Sequence, residues 1–491
     1  MGLVPGGEIL PDEDEYSSDP EIRWAPGTRE AILNPSASLS PNEIKNKTAE
    51  ILSTLKSLNS DFPEESLARL EEVLGFQETL SVIDDVLRKL IHEKGMNQTA
   101  VYNACRSLFF STRNRGVLKF CMGIMSLYCV EDDIEFFKIV SRHEEFTLYG
   151  AVAVSMCTPD PVHHWIDMAG HVEGWGRIHL SNRLVEKAGR NDVREYLLKE
   201  GCKNTIGEEY TSLEIARSVK LDQILNTTKI DRKSFQGAGV LINGMIDATI
   251  VRGPFIGLEK YDRGFACLDN YLNLAQKMAK NSFDFLVAHK IFRFLHEEKD
   301  KADIEYIPAE TEILKEKVQN ILNLPHWKET VLKDLAKKDR QKQFEAVKAS
   351  EILELDITPE LIKMLKTNPH DDMLWYYLSS RINRENLQAI KELAIEKLDF
   401  KTKNTEETGA GLNEVVLSFL LNALENINQP DEEIILLGLQ STERNQRETF
   451  KVLHSWKPEE ISENIIAQVR KLMESPTEIL RLDAQALLEK V

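Results

Sequence analysis

One short stretch of the chain concentrates residue types that can bind a metal ion or transfer protons. "DPVHHWIDMAGHVEGWGRIHL" (residues 160–180) holds four of the eleven histidines beside two tryptophans and several acids. If a helix begins at Pro161, His163 and Asp167 lie one turn apart on one face, with His171 near the helix end. Imidazole and carboxylate ligands suit zinc. A metal-site hypothesis therefore comprises His163, Asp167, His171 and Glu173.

The same stretch also has a non-catalytic interpretation. On a helix from Pro161, the apolar residues Val162, Trp165 and Ala169 share one face, which leaves the paired histidines on the solvent side. Gly170 is expected to end this helix, so the direction of the next histidine stays open. In this interpretation no cofactor is implied, and the stretch contacts a partner through Trp175, Arg177, His164 and His171.

Common enzyme motifs are missing from the sequence. It contains no G-x-S-x-G, no phosphate-binding P-loop and no H-E-x-x-H. We therefore favour a non-catalytic binding or scaffold protein and keep a metal-dependent enzyme, with the His/Asp/Glu cluster of residues 163–179, as the alternative.

The charge balance limits the class of partner. The chain of 491 residues carries 61 basic and 80 acidic side chains, for a formal net charge of −19. Such a field repels phosphate backbones and anionic lipid surfaces and attracts basic proteins or peptides. We expect a protein or peptide partner, preferably basic, and no membrane. A nucleic-acid-binding helical-repeat protein is a second alternative, which the net charge disfavours.

The cysteines and the chain start bear on location. Six cysteines are scattered without C-x-x-C pairs, which favours buried thiols in a reducing compartment. The N-terminus lacks the order of a signal peptide, and no apolar run reaches the ~18 residues of a membrane span. These observations predict a cytoplasmic protein.

A recurring proline-containing motif predicts the helices that position these residues. Proline followed by acids and then by apolar residues at helical spacing occurs in "SPNEI", "FPEESLARL", "DPVHHWI", "TPELIKML", "QPDEEIILL" and "SPTEILRL". Proline loses no hydrogen bond at a first helical position, and acids there complement the helix dipole. Ser40 with Glu43 and Ser475 with Glu478 fit the capping box. Period-two alternation is scarce, so the chain is predicted to be all-α.

Two groups of segments resemble helical-repeat families. "FEAVKASEIL", "RETFKVLHSW" and "LRLDAQALLEKV", within residues 340–491, resemble the second helix of HEAT-like repeats. "RIHLSNRLVEKAGRNDVREYLLKEGCKN" with "YTSLEIARSVKLDQIL" resembles ankyrin repeats, although Ser212 and Glu214 stand where that motif has Pro and His. Both resemblances imply an α-solenoid-like array of short antiparallel helix pairs that binds through an extended surface.

Composition along the chain suggests four segments. Residues 1–40 are polar with one aromatic anchor, Trp24, and are predicted to form an extended or partly disordered arm. Residues 41–230 form an N-terminal helical-repeat region and residues 301–491 the C-terminal HEAT-like repeats. Between them, residues 231–300 hold apolar central helices and a glycine-containing junction. Within that segment, "FQGAGVLINGMIDATIV" is expected to be a buried helix.

Overall fold

The structure, a computed structural model, is built from helices packed on helices. It describes residues 7–16, 24–32, 39–58, 63–251, 255–298, 308–400 and 411–491, and no strand occurs among them. The all-α class predicted from the sequence is therefore confirmed.

Residue contacts divide the chain into two compact units. Unit 1 comprises Met1–Ala279 with Val287–Leu324, and unit 2 comprises Lys280–Leu286 with Pro325–Val491. The four segments expected from composition remain a prediction.

The helices of the first part of the chain vary from single turns to five turns. They are α1 (Glu13–Tyr16), α2 (Thr28–Ala31), α3 (Pro41–Lys56), α4 (Glu64–Leu74), α5 (Thr79–His92), α6 (Gln98–Ser111), α7 (Arg115–Ser126), α8 (Asp133–Val140), α9 (Glu144–Cys157), α10 (Val162–Ala169), α11 (Gly174–Val185), α12 (Asn191–Tyr196), α13 (Ser212–Val219), α14 (Leu221–Leu225), α15 (Arg232–Val251), α16 (Gly264–Met278), α17 (Ser282–Arg293) and α18 (Pro308–Leu322). Short π-helical or 3₁₀ turns cover Leu197–Gly201, Glu208–Tyr210, Leu258–Lys260 and Phe294–Glu298.

Unit 2 contains helices of similar length. They are α19 (Trp327–Leu335), α20 (Arg340–Ile352), α21 (Thr358–Thr367), α22 (Asp372–Ser379), α23 (Leu387–Lys397), α24 (Leu412–Ile427), α25 (Glu432–Gln440), α26 (Glu443–Ser455), α27 (Glu463–Leu472) and α28 (Glu478–Lys490), with a 3₁₀ turn at Pro458–Glu460.

Local sequence explains where several helices begin. At α3 the Ser40 hydroxyl accepts the N–H of Glu43, and the Glu43 carboxylate accepts the N–H of Ser40, so the predicted capping box is present. The box predicted for α28 is wrong. Thr477 is the residue that caps this helix, and the Ser475 hydroxyl accepts the Thr477 N–H instead.

Helices contact the second next helix along the chain within each unit. In unit 1, α3, α5, α7, α9, α11, α13 and α15 each touch the next member of that series, and in unit 2 α24, α26 and α28 do the same. Each such helix buries an apolar stripe, as α5 does with Val82, Ile83, Val86 and Leu90. This packing is compatible with a helical-repeat fold.

The glycine-rich helix α15 is buried, as its composition indicates. A Cβ on Gly237 would lie 1.7 Å from the carbonyl oxygen of Leu198, so the helix approaches the neighbouring π turn closely. A Cβ on Gly244 would lie 2.2 Å from the Ser212 hydroxyl. Only glycine fits such contacts. None of the described helices combines the length and apolar character needed to cross a bilayer.

Two cysteines form a disulfide, which corrects the interpretation of all six as buried thiols. Cys129 and Cys157 are bonded, with their Cα atoms 5.5 Å apart, whereas the other four cysteines are buried thiols. Packing of α8 against α9 brings the end of α9 back to the residues after α7, a proximity that sequence spacing does not reveal. Disulfides persist mainly in oxidising compartments, so this bond removes one argument for a cytoplasmic location.

Candidate functional site

The histidine-rich stretch folds as two helices, α10 and α11. Pro161 precedes α10, and Val162, Trp165, Met168 and Ala169 are buried on one of its faces. The Trp165 indole N–H donates to the Ala151 carbonyl at 2.9 Å, which fixes α10 against α9. His163 and Asp167 are exposed. The structure therefore places these two side chains on the solvent side of the helix.

Of the four side chains of the metal-site hypothesis, only His171 and Asp167 approach each other, with Nδ1 3.7 Å from Oδ1. Asp167 pairs with Lys138 Nζ at 2.7 Å, and Glu173 pairs with the Arg177 guanidinium at 3.0 Å. His171 Nδ1 lies 2.8 Å from the Asp167 carbonyl oxygen, and the His163 ring lies against the ring of the next histidine. Among the residues that the structure describes, no group of three or more His, Cys, Asp or Glu side chains is placed to hold a metal ion. The geometry gives the metal-site hypothesis no support.

The side chains expected to contact a partner differ in accessibility. Trp175 is only 3 % exposed, and it packs edge-to-face on Tyr210 with ring centroids 4.8 Å apart. Arg177 donates to the Val172 carbonyl and to Glu173, so it braces the start of α11. His164 and His171 are partly exposed. A partner contact through these four residues stays a prediction.

His179 is the histidine of the stretch whose surroundings change its acidity most. Burial, with the charge of Arg183, lowers its pKa to about 4. Its ring is therefore neutral at physiological pH, which suits a packing role within α11.

A second cluster, centred on Lys119, escaped the sequence analysis. Lys119 Nζ lies 2.6 Å from Glu30 Oε1 and 2.5 Å from Glu145 Oε1, and the three side chains are 0 %, 5 % and 4 % exposed. The Tyr149 hydroxyl donates to the same Glu30 oxygen at 3.2 Å. The cluster joins α7 and α9 to residues 24–32, which we call the second arm segment. Its charges are buried and paired.

The second arm segment approaches α9 and α11 closely. The Gly27 N–H donates to Glu145 Oε2 at 3.0 Å. Gly27 has φ +78°, and a Cβ there would lie 2.9 Å from the Glu144 carbonyl oxygen and 3.2 Å from Trp175 Cβ. Burial raises the pKa of Glu145, but the Lys119 charge, the Gly27 N–H and the Arg115 charge outweigh it and hold that pKa below its ordinary value.

Residues 7–16, the first arm segment, bind the start of α7. Asp12 accepts the backbone N–H of Arg115 at 2.8 Å and its guanidinium Nε at 3.0 Å. The next residue, Glu13, accepts Nη2 of the same guanidinium at 2.7 Å. The Arg115 side chain is 5 % exposed. Two adjacent arm carboxylates thus share one buried arginine at a helix N-terminus, where the helix dipole also favours negative charge.

Sequence reasoning missed the Lys119 cluster and the Arg115 contact because the residues of each are far apart in the chain. Lys119 lies 89 residues from Glu30, and Arg115 lies 103 residues from Asp12. The available signal was a lysine inside the apolar run "VLKFCMGIM", since a lone cation on a buried helix needs a carboxylate.

The expectation that Trp24 pins the arm is wrong, because its side chain is 58 % exposed.

An exposed aromatic surface lies along α6 and α8. Phe110 is 56 % exposed and meets the Phe136 ring edge-to-face, with centroids 5.0 Å apart. The Arg106 guanidinium lies 5.2 Å from the first ring and 5.6 Å from the second. Ile139, one turn beyond Phe136, is 55 % exposed. We call these four side chains the α6–α8 surface.

The aromatic triplet of unit 2 divides between core and solvent. Trp375 and Tyr377 are 2 % and 4 % exposed, whereas Tyr376 between them is 59 % exposed. Adjacent residues on a helix point in different directions, so this division is expected.

Comparisons of the chain with models of protein families, with curated proteins and with solved structures found no match. The resemblances to HEAT and ankyrin repeats therefore stay predictions.

Proposed function

We propose that this chain is a non-catalytic binding protein that holds a protein or peptide partner on the α6–α8 surface of unit 1. The observation that carries the proposal is the contact of the exposed Phe110 ring with the partly exposed Phe136 ring, beside the Arg106 guanidinium. Aromatic rings and arginine dominate the binding energy of protein interfaces. The i to i+2 helix contacts support the further proposal that the surface belongs to a helical-repeat array.

The geometry of the α6–α8 surface favours binding over a merely structural role. Phe109 and Phe137, the neighbours of the two surface rings in sequence, already fill the core at 7 % and 0 % exposure. The outer rings therefore remain available to a partner. Contact with Arg106 restricts their orientation, which lowers the entropy lost when a partner binds.

The proposed partner presents apolar side chains to these rings. Ile139 extends the apolar area along α8, so an amphipathic helix or an extended apolar segment fits the chemistry of the surface. The net charge of −19 favours a partner whose remaining surface is basic, because long-range attraction speeds its approach.

Photo-crosslinking from single positions tests this proposal. A benzoylphenylalanine probe replaces Phe110 or Phe136 in two samples, and replaces Ile91 of α5, which is 58 % exposed, in the control. We expect one partner to be linked from positions 110 and 136 but not from 91. Arg106→Glu should lower the yield from position 136 by about tenfold, the factor that corresponds to 1.4 kcal/mol. Identical products from all three positions would contradict the proposal.

A further inference from the structure

The start of α7 has the features of a carboxylate-recognition site. Arg115 offers its guanidinium and its backbone N–H to the same carboxylate of Asp12, and the guanidinium also binds Glu13. With the arm bound, the Arg115 side chain is 5 % exposed and the arm carboxylates compensate its charge. A group that takes their place on the guanidinium is therefore expected to be acidic.

A cavity adjoins this carboxylate contact. It has a volume of about 130 Å³ and is lined by Gly75, Phe76, Gln77, Asn114, Arg115 and Gly116 of the body, and by Asp12 of the arm. A Cβ on Gly116 would lie 2.5 Å from the Phe76 carbonyl oxygen, so close backbone packing shapes the cavity wall. The amide oxygens of Gln77 and Asn114 beside the arginine already accept hydrogen bonds, from Arg29 Nη1 at 3.0 Å and from the Val117 N–H at 3.1 Å. The cavity thus offers space next to the bound carboxylate, with the Arg115 guanidinium as its cationic group.

The two arm segments differ in how deeply they are held. In the second segment, Glu30 is 5 % exposed and neutralises Lys119, which is 0 % exposed. In the first segment, the Asp12 and Glu13 side chains are 9 % and 25 % exposed. Glu13 reaches solvent and Asp12 lies next to it, so the first segment can be exchanged without opening the Lys119 cluster.

We propose that the start of α7, with Arg115 and the cavity beside it, recognises an acidic peptide segment of a partner protein, and that residues 7–16 occupy the site in cis until the partner displaces them. The charge complementarity of the arm carboxylates and Arg115 carries the choice of partner. This site is separate from the α6–α8 surface, so either proposal can fail without the other.

Binding of a peptide with the arm sequence tests the site in the full chain. The probe is fluorescein-labelled "GEILPDEDEY", residues 7–16. A tethered arm competes at an effective concentration on the order of 1 mM, so we expect Asp12→Asn/Glu13→Gln to tighten probe binding by at least about tenfold. Adding Arg115→Gln should abolish that binding. A probe in which Asn and Gln replace the residues that correspond to Asp12 and Glu13 should not bind.

A matched control exists in the same unit. Arg190 also binds two carboxylates, those of Asp160 and Asp192, but its side chain is 42 % exposed. Asp160→Asn/Asp192→Asn should leave probe binding at the wild-type level, and Arg190→Gln should not reduce it in the variant with the opened site. Thermal melting of each variant, followed by circular dichroism, verifies that it is folded.

Hydrogen exchange on the wild-type chain gives a test that needs no variant. An isotope-labelled peptide of residues 7–16 at millimolar concentration should speed exchange in residues 8–16 of the chain itself and leave residues 24–32 unchanged. The proposal is overturned if Asp12→Asn/Glu13→Gln binds the probe no more tightly than wild type, or if binding survives Arg115→Gln. A wild-type dimer in light-scattering measurements that Asp12→Asn/Glu13→Gln dissociates would identify the arm of a second copy as the occupant and also overturn the proposal.

Discussion

Two lysines of unit 1 each hold two carboxylates, yet they lie in opposite environments. Lys119 binds Glu30 and Glu145 with its side chain 0 % exposed. Lys138 binds Glu135 and Asp167, beside the histidine-rich stretch, with its side chain 18 % exposed. Water screens the charges around Lys138 and can solvate its carboxylates when the lysine is removed. The buried charges around Lys119 are stabilised by their ion-pair partners instead. Burial, more than residue type, therefore decides which of the two clusters matters to the fold.

Replacing the two lysines gives the largest expected difference. Lys119→Met removes the ion-pair partner of two buried carboxylates, so we expect the free energy of unfolding to fall by about 3–5 kcal/mol. The matched change Lys138→Met should cost at most about 1 kcal/mol, because solvent reaches its partners. Urea unfolding followed by circular dichroism measures both. Equal losses would refute the contrast between the clusters.

The same contrast between buried and exposed side chains predicts that His179, within the histidine-rich stretch, affects stability. The folded chain keeps His179 neutral down to a pKa of about 4, whereas the unfolded chain takes up this proton near its ordinary pKa of 6.5. Stability from this residue is fully present above pH 6.5 and is lost as the pH falls from 6.5 to 4. The loss should be about 3 kcal/mol.

Unfolding measured across this pH range in wild type, His179→Gln and His163→Gln tests the assignment. The His179 variant should lose stability less steeply than wild type, and the variant of exposed His163 should follow wild type. A wild-type slope in both variants would show that His179 does not carry the effect.

Two glycines with positive φ test how tightly the arm is seated. Gly27 has φ +78° and abuts Glu144 and Trp175, whereas Gly95 has φ +80° with no heavy atom near its Cβ position. Alanine costs about 1 kcal/mol at either position through the backbone alone. Gly27→Ala should cost about 1–2 kcal/mol more, because its Cβ meets the Glu144 carbonyl oxygen. Thermal unfolding compares the two, and equal shifts would mean that the arm yields to the added methyl group.

The smallest effect on stability is expected from the solvent-accessible histidines of the histidine-rich stretch. His163→Ala/His171→Ala should change the free energy of unfolding by no more than about 0.5 kcal/mol, since both side chains reach solvent. Elemental analysis of protein purified without chelator should give the same metal content for this variant and wild type. Stoichiometric metal that disappears in the variant would restore the metal-site hypothesis.

The sequence predicted local features well where neighbouring residues decide them. Ser40, Pro41 and Glu43 predicted the start of α3, because capping involves residues within one turn. The same reasoning failed at Ser475, because α28 begins after Thr477, two residues later, and the Ser475 hydroxyl accepts the Thr477 N–H. The position of His163 and Asp167 on the polar face followed from helical periodicity alone.

Contacts between distant residues were beyond such reasoning. Cys129 and Cys157 are separated by 28 residues, and only the packing of α8 and α9 brings them together. The exposure of Phe110 beside buried Phe109 likewise depends on which face of α6 the neighbouring helices cover. A pattern of apolar spacing does not contain this information.

By itself, the sequence determined an all-α chain, the starts of many of its helices and the burial of α15, because helix hydrogen bonds and caps join residues a few positions apart. Only the tertiary structure decided that Lys119 pairs with Glu30 and Glu145, that Arg115 receives the arm carboxylates, and that no three metal-binding side chains of the histidine-rich stretch converge. Those outcomes depend on burial and on long-range approach, which arise when helices pack.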